Sequence, residues 1–344
     1  MRPASPTRLA ALILWFALGP ALAQVDVTPQ HSGVEVSLRG IAAVNAQVAW
    51  ASGEKSTVLR TVDGGRHWQR VRAPGDGALD FRDVEAFDAN TALIMSIGKG
   101  DASRVYRTHD GGAHWTQVLR NHAVDGFFDC MTFAGQRGWL MGDPVDGRFQ
   151  VYATTDQGRS WRPVQGPKAD TDESAFAASG TCIAGDARTR LIGSGGARSR
   201  LSVFREGDGD WQQIDSTMTR SASSAGVFGL TPWPHGDGWL AVGGDYRRES
   251  APGNAVHITV DAQGRPHVQA LPAPPGFRSG VACLSTGLHP CLVVGPSGID
   301  RWDDGHWTSL SKQGYHAIDL VGTGGWASGP GGHIARIELH PTPP

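Results

Sequence analysis

Arg60-Thr61-Val62-Asp63-Gly64-Gly65-Arg66-His67-Trp68 is the stretch on which the fold turns, because it returns twice. Arg107-Thr108-His109-Asp110-Gly111-Gly112-Ala113-His114-Trp115 and Ala153-Thr154-Thr155-Asp156-Gln157-Gly158-Arg159-Ser160-Trp161 share its T-x-D-x-G-x-x-W frame. The tryptophans stand 46 to 47 residues apart, which is the length of a propeller blade. Each part of the motif has a local physical job. An Asp at a turn accepts hydrogen bonds from backbone N–H groups just ahead of it. Gly supplies backbone angles that other residues resist. The Trp opens the next strand and fills the wedge between units, with an N–H free to find an acceptor. Asp63, Trp68, Asp110, Trp115, Asp156 and Trp161 are therefore read as structural.

Degenerate copies extend the array: Asp208-Gly209-Asp210-Trp211, then Asp261-Ala262-Gln263-Gly264 with His267 near the Trp position, then Asp303-Asp304-Gly305-His306-Trp307. Trp211 and Trp307 are assigned the same wedge role. Upstream of each turn lie three apolar runs, such as Gly40–Val44, Val48–Gly53 and Val58–Arg60. With the strand after the turn, each unit has four strands, the composition of a propeller blade. Six units and an incomplete seventh give an all-β, seven-bladed β-propeller. A final unit short of one strand would leave an open edge. The alternating segment Val34-Glu35-Val36-Ser37-Leu38 is expected to close it, joining N-terminus to C-terminus.

The N-terminus reads as a leader. Arg2 and Arg8 precede an apolar run from Leu9 to Leu18, and Ala21-Leu22-Ala23 forms an A-x-A cleavage pattern. About ten apolar residues are too few to span a bilayer, which takes about 20. Residues 1–23 are thus expected to be a signal peptide and residues 24–344 a single propeller, periplasmic or secreted, with no membrane span after cleavage. A formal net charge of −2 gives no reason to expect nucleic acid as a partner. Export permits disulfides. Cys283 and Cys291 flank a turn at 286–290 and are expected to bridge across one hairpin. Cys130 and Cys182, on inner strands of neighbouring blades, stay open between a bridge and two buried thiols. No cysteine or histidine spacing suggests a metal, and no cofactor is called for.

On these motifs the chain resembles the BNR/Asp-box propellers over residues 34–340. Within that group it is similar to bacterial relatives of the photosystem II assembly-factor propellers. Phe128-Asp129-Cys130-Met131, Gly142-Asp143-Pro144, Phe176-Ala177-Ala178-Ser179-Gly180-Thr181, Gly243-Gly244-Asp245-Tyr246 and Arg278-Ser279 resemble an exported subgroup often named for oxidoreductases or glycosyl hydrolases. The resemblance implies the fold and leaves the activity open.

Loops before each inner strand, and between second and third strands, should open together at one end of the channel. The acidic turns should lie at the other end. This placement nominates Arg39, Arg82, Phe128, Asp129, Asp143, Ser179, Asp245, Tyr246, Arg278, Ser279 and His316 as ligand-binding. Arg39, Arg82 and Arg278 would converge on an anion, since guanidinium forks suit carboxylate or phosphate. The alternative is separate ion pairs with Asp83, Asp129 or Asp143. Gly193-Ser194-Gly195-Gly196 would let a ligand approach the backbone. Asp83, Asp129, Asp143, Glu173 and Asp245 supply carboxyl pairs of the kind glycoside hydrolysis needs. The Arg-Ile-Pro motif of sialidases is absent, since Arg82 is followed by Asp83-Val84. No helix follows the glycine cluster, so it is not a dinucleotide fingerprint. The leading expectation is a binding module for a protein segment or a small polar or anionic ligand. The alternative is a glycan-directed hydrolase.

Overall fold

The computed structural model describes residues 24–186, 188–219, 222–284, 290–303 and 305–340. The expected leader at 1–23, residue 304 of the sixth turn, and most of the turn between Cys283 and Cys291 lie outside them. Seven antiparallel blades of four strands surround a channel. The inner strands, in chain order, are Leu38–Ala43, Phe81–Ala86, Phe128–Ala134, Ile183–Gly185, Ala225–Pro232, Gly280–Cys283 and Ala317–Val321. Their apolar side chains pack between neighbouring blades, so the core is a ring of inter-blade layers.

The ring closes as expected, but with a different strand. Gln24–Gln30 pairs antiparallel with Ile334–His340 and forms the outermost strand of blade 7. Val34–Leu38 instead runs from that blade into the first inner strand, with Val34 and Val36 packed against the core. Pro29 makes Gln24–Gln30 a poor strand by sequence, because it lacks a ladder donor. An outermost strand has one unpaired edge, where that loss is tolerated. Gln30 then fastens the seam: its Oε1 accepts from the indoles of Trp68 (3.1 Å) and Trp326 (3.2 Å), and its Nε2 donates to Gly64 O (3.1 Å).

The acidic turns work as their residues dictate. In blade 1, Asp63 Oδ1 accepts from His67 N (3.0 Å), and Thr61 Oγ1 accepts from Gly65 N (2.9 Å). Blades 2 and 3 repeat this with Asp110–His114 N (2.9 Å) and Asp156–Ser160 N (3.0 Å). Gly64 and Gly65 sit at φ 78° and 82°, the left-handed region that glycine enters without penalty. The motif indoles stitch their blades to the ones before. Trp115 donates to Arg72 O (2.9 Å), Trp211 to Gln165 O (2.8 Å) and Trp307 to Pro272 O (2.8 Å). Trp161 is the exception, its Nε1 buried without a partner.

Both cysteine pairs are bridged, Cys283–Cys291 within blade 6 and Cys130–Cys182 between blades 3 and 4. The second bridge anchors a departure from the repeat. Between Glu173–Ser174 and the short inner strand of blade 4, residues 175–182 leave the sheet and cross the channel as a strap. Ala177 O accepts from Arg82 Nη1 (3.3 Å) in blade 2. Ser179 Oγ donates to Ser279 O (2.7 Å) at the start of blade 6's inner strand. Gly180 lies so close to Asp83 that a Cβ there would sit 2.3 Å from the carboxylate. The strap is held at its origin by Glu173, which is buried and takes Arg200 and the Ser194 hydroxyl.

Candidate functional site

The strap divides the channel into two cavities. The mouth, about 540 Å³, is lined by Ser174 and by Ala175–Ala178 of the strap, and the opposite chamber, about 300 Å³, by Ser179–Thr181. The mouth faces away from the acidic turns, as the connection pattern requires.

A repeated backbone irregularity points side chains into the mouth. In four inner strands one residue is skipped by the ladder: Arg39 between Leu38 and Gly40, Arg82 between Phe81 and Asp83, Asp129 between Phe128 and Cys130, and Phe228 between Val227 and Gly229. A bulge leaves its extra residue unpaired and re-aims the side chain. All four line the mouth, with Ser279 and His316 at the starts of the blade 6 and blade 7 inner strands. Phe228 was not singled out by sequence reasoning, although Val227-Phe228-Gly229 holds the repeat position of Phe81-Arg82-Asp83.

The mouth has three distinct sides. Arg39, Arg82 and His316 form the first. Burial, then the neighbouring Arg82, brings the Arg39 guanidinium down to about 10. Burial, then both arginines, pushes His316 down to about 3, so the imidazole is neutral. Arg82 Nε pairs with Asp80 (2.8 Å). The second side is Asp129 and Asp143. Burial, then Asp143, raises the Asp129 carboxyl well above its ordinary value, although it accepts from the backbone of Asp143 and Ala177. Burial raises Asp143 too, against one hydrogen bond from Ala175 N (3.0 Å). The third side is aromatic. Phe176 stacks on Phe228 (centroids 4.0 Å), Phe277 meets Phe228 edge-on (4.6 Å), and the exposed Tyr246 covers both stacked rings. Phe176, Phe277, Phe127 and Glu249 join the nominated residues. The signal for Phe176 was the interruption of the repeat between Val164 and Ile183.

Six nominated residues lie elsewhere, five of them as follows. Arg278 does not converge with Arg39 and Arg82. It is buried against Asp300 and bonds Phe277 O and Ser297 Oγ, both at 2.8 Å. Phe128 turns into the core and packs on Tyr152, and Phe127 takes its place. Ser179 lines the opposite chamber. Asp245 shapes the insertion at 245–254 by accepting from Arg247 N (3.0 Å). Glu173 is the strap's anchor. The glycine run also serves packing: a Cβ on Gly195 would strike Ala225 O at 2.4 Å and a Cβ on Gly196 would strike Asp172 O at 2.4 Å, so protein backbone occupies the space expected for a ligand.

Asp83 stands one residue past its bulge and faces the opposite chamber with Glu85 and Asp319. Asp83 Oδ2 accepts from Met131 N of blade 3 (2.7 Å), and Asp319 Oδ2 from Ala43 N of blade 1 (2.7 Å). Burial raises Asp83 to about 7 and Asp319 to about 6. These carboxyls join neighbouring inner strands. Among the described residues no cluster of His, Cys, Asp and Glu is arranged to hold a metal, and no helix is long and apolar enough to cross a membrane.

No protein-family model and no curated protein sequence matches the chain. Solved structures do match in shape. YCF48 bound to D1 peptide aligns with TM-score 0.57 and 15% identity, over 92% of this chain and 96% of that one. Virginiamycin B lyase from Staphylococcus aureus aligns with TM-score 0.65 and 14% identity, over 92% and 99%. The GH74 xyloglucanase from Xanthomonas campestris aligns with TM-score 0.58 and 18% identity, over 85% of this chain and 51% of that one. A peptide-bound protein, a lyase and a glycoside hydrolase on one architecture show that the chain shares the propeller fold and that the fold does not choose among these chemistries.

Proposed function

We propose that this chain is an exported Asp-box propeller that binds the carboxylate-bearing end of a protein segment, or a small anionic ligand, at the channel mouth. The observation that carries the reading is Arg39 beside Arg82 in a closed-bottomed cavity with an aromatic wall. Arg39 makes no ion pair among the described residues, and its Nε is buried without a partner. A partly desolvated guanidinium pair favours a carboxylate or phosphate over water. Capture of a peptide in YCF48 is a precedent on this fold. The leader pattern and the two disulfides support export. The test is calorimetric titration with N-acetyl-Ala-Phe and its C-terminal amide. The carboxylate should bind roughly tenfold more tightly, and Arg39→Ala with Arg82→Ala should erase the difference. Equal affinity for the two peptides in the intact protein would remove the reading.

Asp129 beside Asp143 favours a second reading, a glycan-directed hydrolase. A buried carboxyl that keeps its proton is suited to general acid catalysis, with a second carboxyl as its partner. Release of reducing ends from xyloglucan or another glycan by the wild type, abolished in Asp129→Asn, would establish it. No release across a glycan panel would dismiss it.

A further inference from the structure

Two buried polar atoms of the mouth have no partner in the protein, and the side chains that carry them have opposite acid–base character. Arg39 Nε is one and Asp129 Oδ2 is the other. Asp129 is 1% exposed, and its backbone hydrogen bonds fall on the other oxygen. Both residues are bulge residues aimed into the same 540 Å³ cavity. Among the described residues no ion pair joins either mouth arginine to Asp129 or Asp143. Native proteins rarely leave buried polar atoms unsatisfied, and the exceptions need an explanation. A molecule that bonds to both sides would satisfy both at once. The same cavity carries the wall of Phe176, Phe228 and Phe277 with Tyr246 against it, on the blade 5 and blade 6 side.

We propose that the mouth is built for a short peptide with both termini free. Its carboxylate lies on Arg39 and Arg82, its ammonium on Asp129 and Asp143, and an apolar side chain rests on the phenylalanine wall. The cavity volume falls within the range of about 300–1,000 Å³ typical of small-ligand sites. The inference rests on the reading of the mouth as an anion site and adds the second pole. The charged groups facing Asp129 across this cavity are Arg39, Arg82, Asp143, Glu249 and the neutral His316. Burial and then Asp143 raise the Asp129 carboxyl well above its ordinary range. An arriving ammonium favours the ionised form, so binding should release a proton and strengthen as pH rises.

The experiment is calorimetry with four peptides: Ala-Phe, N-acetyl-Ala-Phe, Ala-Phe amide and N-acetyl-Ala-Phe amide. Each is run in two buffers of different ionisation enthalpy. Ala-Phe should bind best, and blocking either end should cost roughly tenfold. Asp129→Asn should remove only the preference for a free amine, and Arg39→Ala with Arg82→Ala only the preference for a free carboxylate. Proton release should accompany the two free-amine peptides alone. If N-acetyl-Ala-Phe binds as tightly as Ala-Phe and both exceed the amides, the two-pole inference is overturned and the anion site stands. If no peptide prefers its carboxylate free, both fail together. The blocked peptides decide the matter on unaltered protein, whatever the variants do to folding.

Discussion

Aspartates at the outer turns and aspartates at the channel behave in opposite ways. At the rim, Asp63 is pulled down to about 2 by the hydrogen bond from the His67 side chain and then by its backbone N–H, and Asp110 is lowered by the His114 N–H and side chain. At the hub, Asp83, Asp129 and Asp319 are pushed up by burial. The rim acids complete turns made from their own next few residues. The hub acids are placed by strands that lie far away in sequence, such as Asp83 against Met131 and Asp319 against Ala43. Damage at the rim should therefore stay within one unit, and damage at the hub should reach several blades.

The largest test of that contrast is Arg278→Ala. It leaves Asp300 buried with its guanidinium gone, which should cost about 3–5 kcal/mol in urea unfolding. A loss as small as that of a rim variant would break the contrast. Next come the disulfides. Cys130→Ser with Cys182→Ser opens a link across 52 residues and should cost about 4 kcal/mol. Cys283→Ser with Cys291→Ser opens one across 8 residues and should cost about 2.5 kcal/mol. The first should also weaken ligand binding at the mouth by freeing the strap, while the second should leave binding unchanged.

Asp83→Asn sharpens the contrast through pH. A carboxyl held at about 7 when folded, against about 4 when unfolded, binds its proton more tightly in the fold. Its contribution is complete below pH 4 and drains away as pH rises to 7. Asparagine still accepts from Met131 N and has no charge to bury. The variant should flatten the decline of Tm between pH 4 and 7 and melt a few degrees higher at pH 8. Asp63→Ala should have the smallest effect. The stability Asp63 adds is present above pH 4 and lost as pH falls through about 2. The variant should melt slightly lower at pH 7, lose that acid sensitivity, and leave peptide affinity intact.

The same contrast explains what the sequence made legible. Three T-x-D-x-G-x-x-W strings disclosed the rim, because each acidic turn closes its hydrogen bonds on its own next few residues. The blade count followed, and so did the end of the channel where a site would open. Arg39, Arg82 and Asp129 were placed at the mouth because the repeat fixes where inner strands begin, and Asp143 because it fixes where second strands end. Arg278 was misplaced because its partner, Asp300, lies 22 residues on, and no local pattern announces that pairing. Asp83 was put in the mouth because a bulge shifts register by one, and one residue in a strand exchanges faces. Phe128 fell to the same shift, as it directly precedes the bulged Asp129. The strap was half visible as a stretch without a place in the repeat. Its course depends on contacts with blades 2, 3 and 6, which only the folded chain supplies.

The course of residues 175–182 also sets the traffic of the molecule. With residues 175–182 lying between the two cavities, a guest in the mouth is expected to depart by the door through which it came. A polymer could offer only a terminus or a tight loop, never a midsection drawn through, and a second guest would wait until the first had gone.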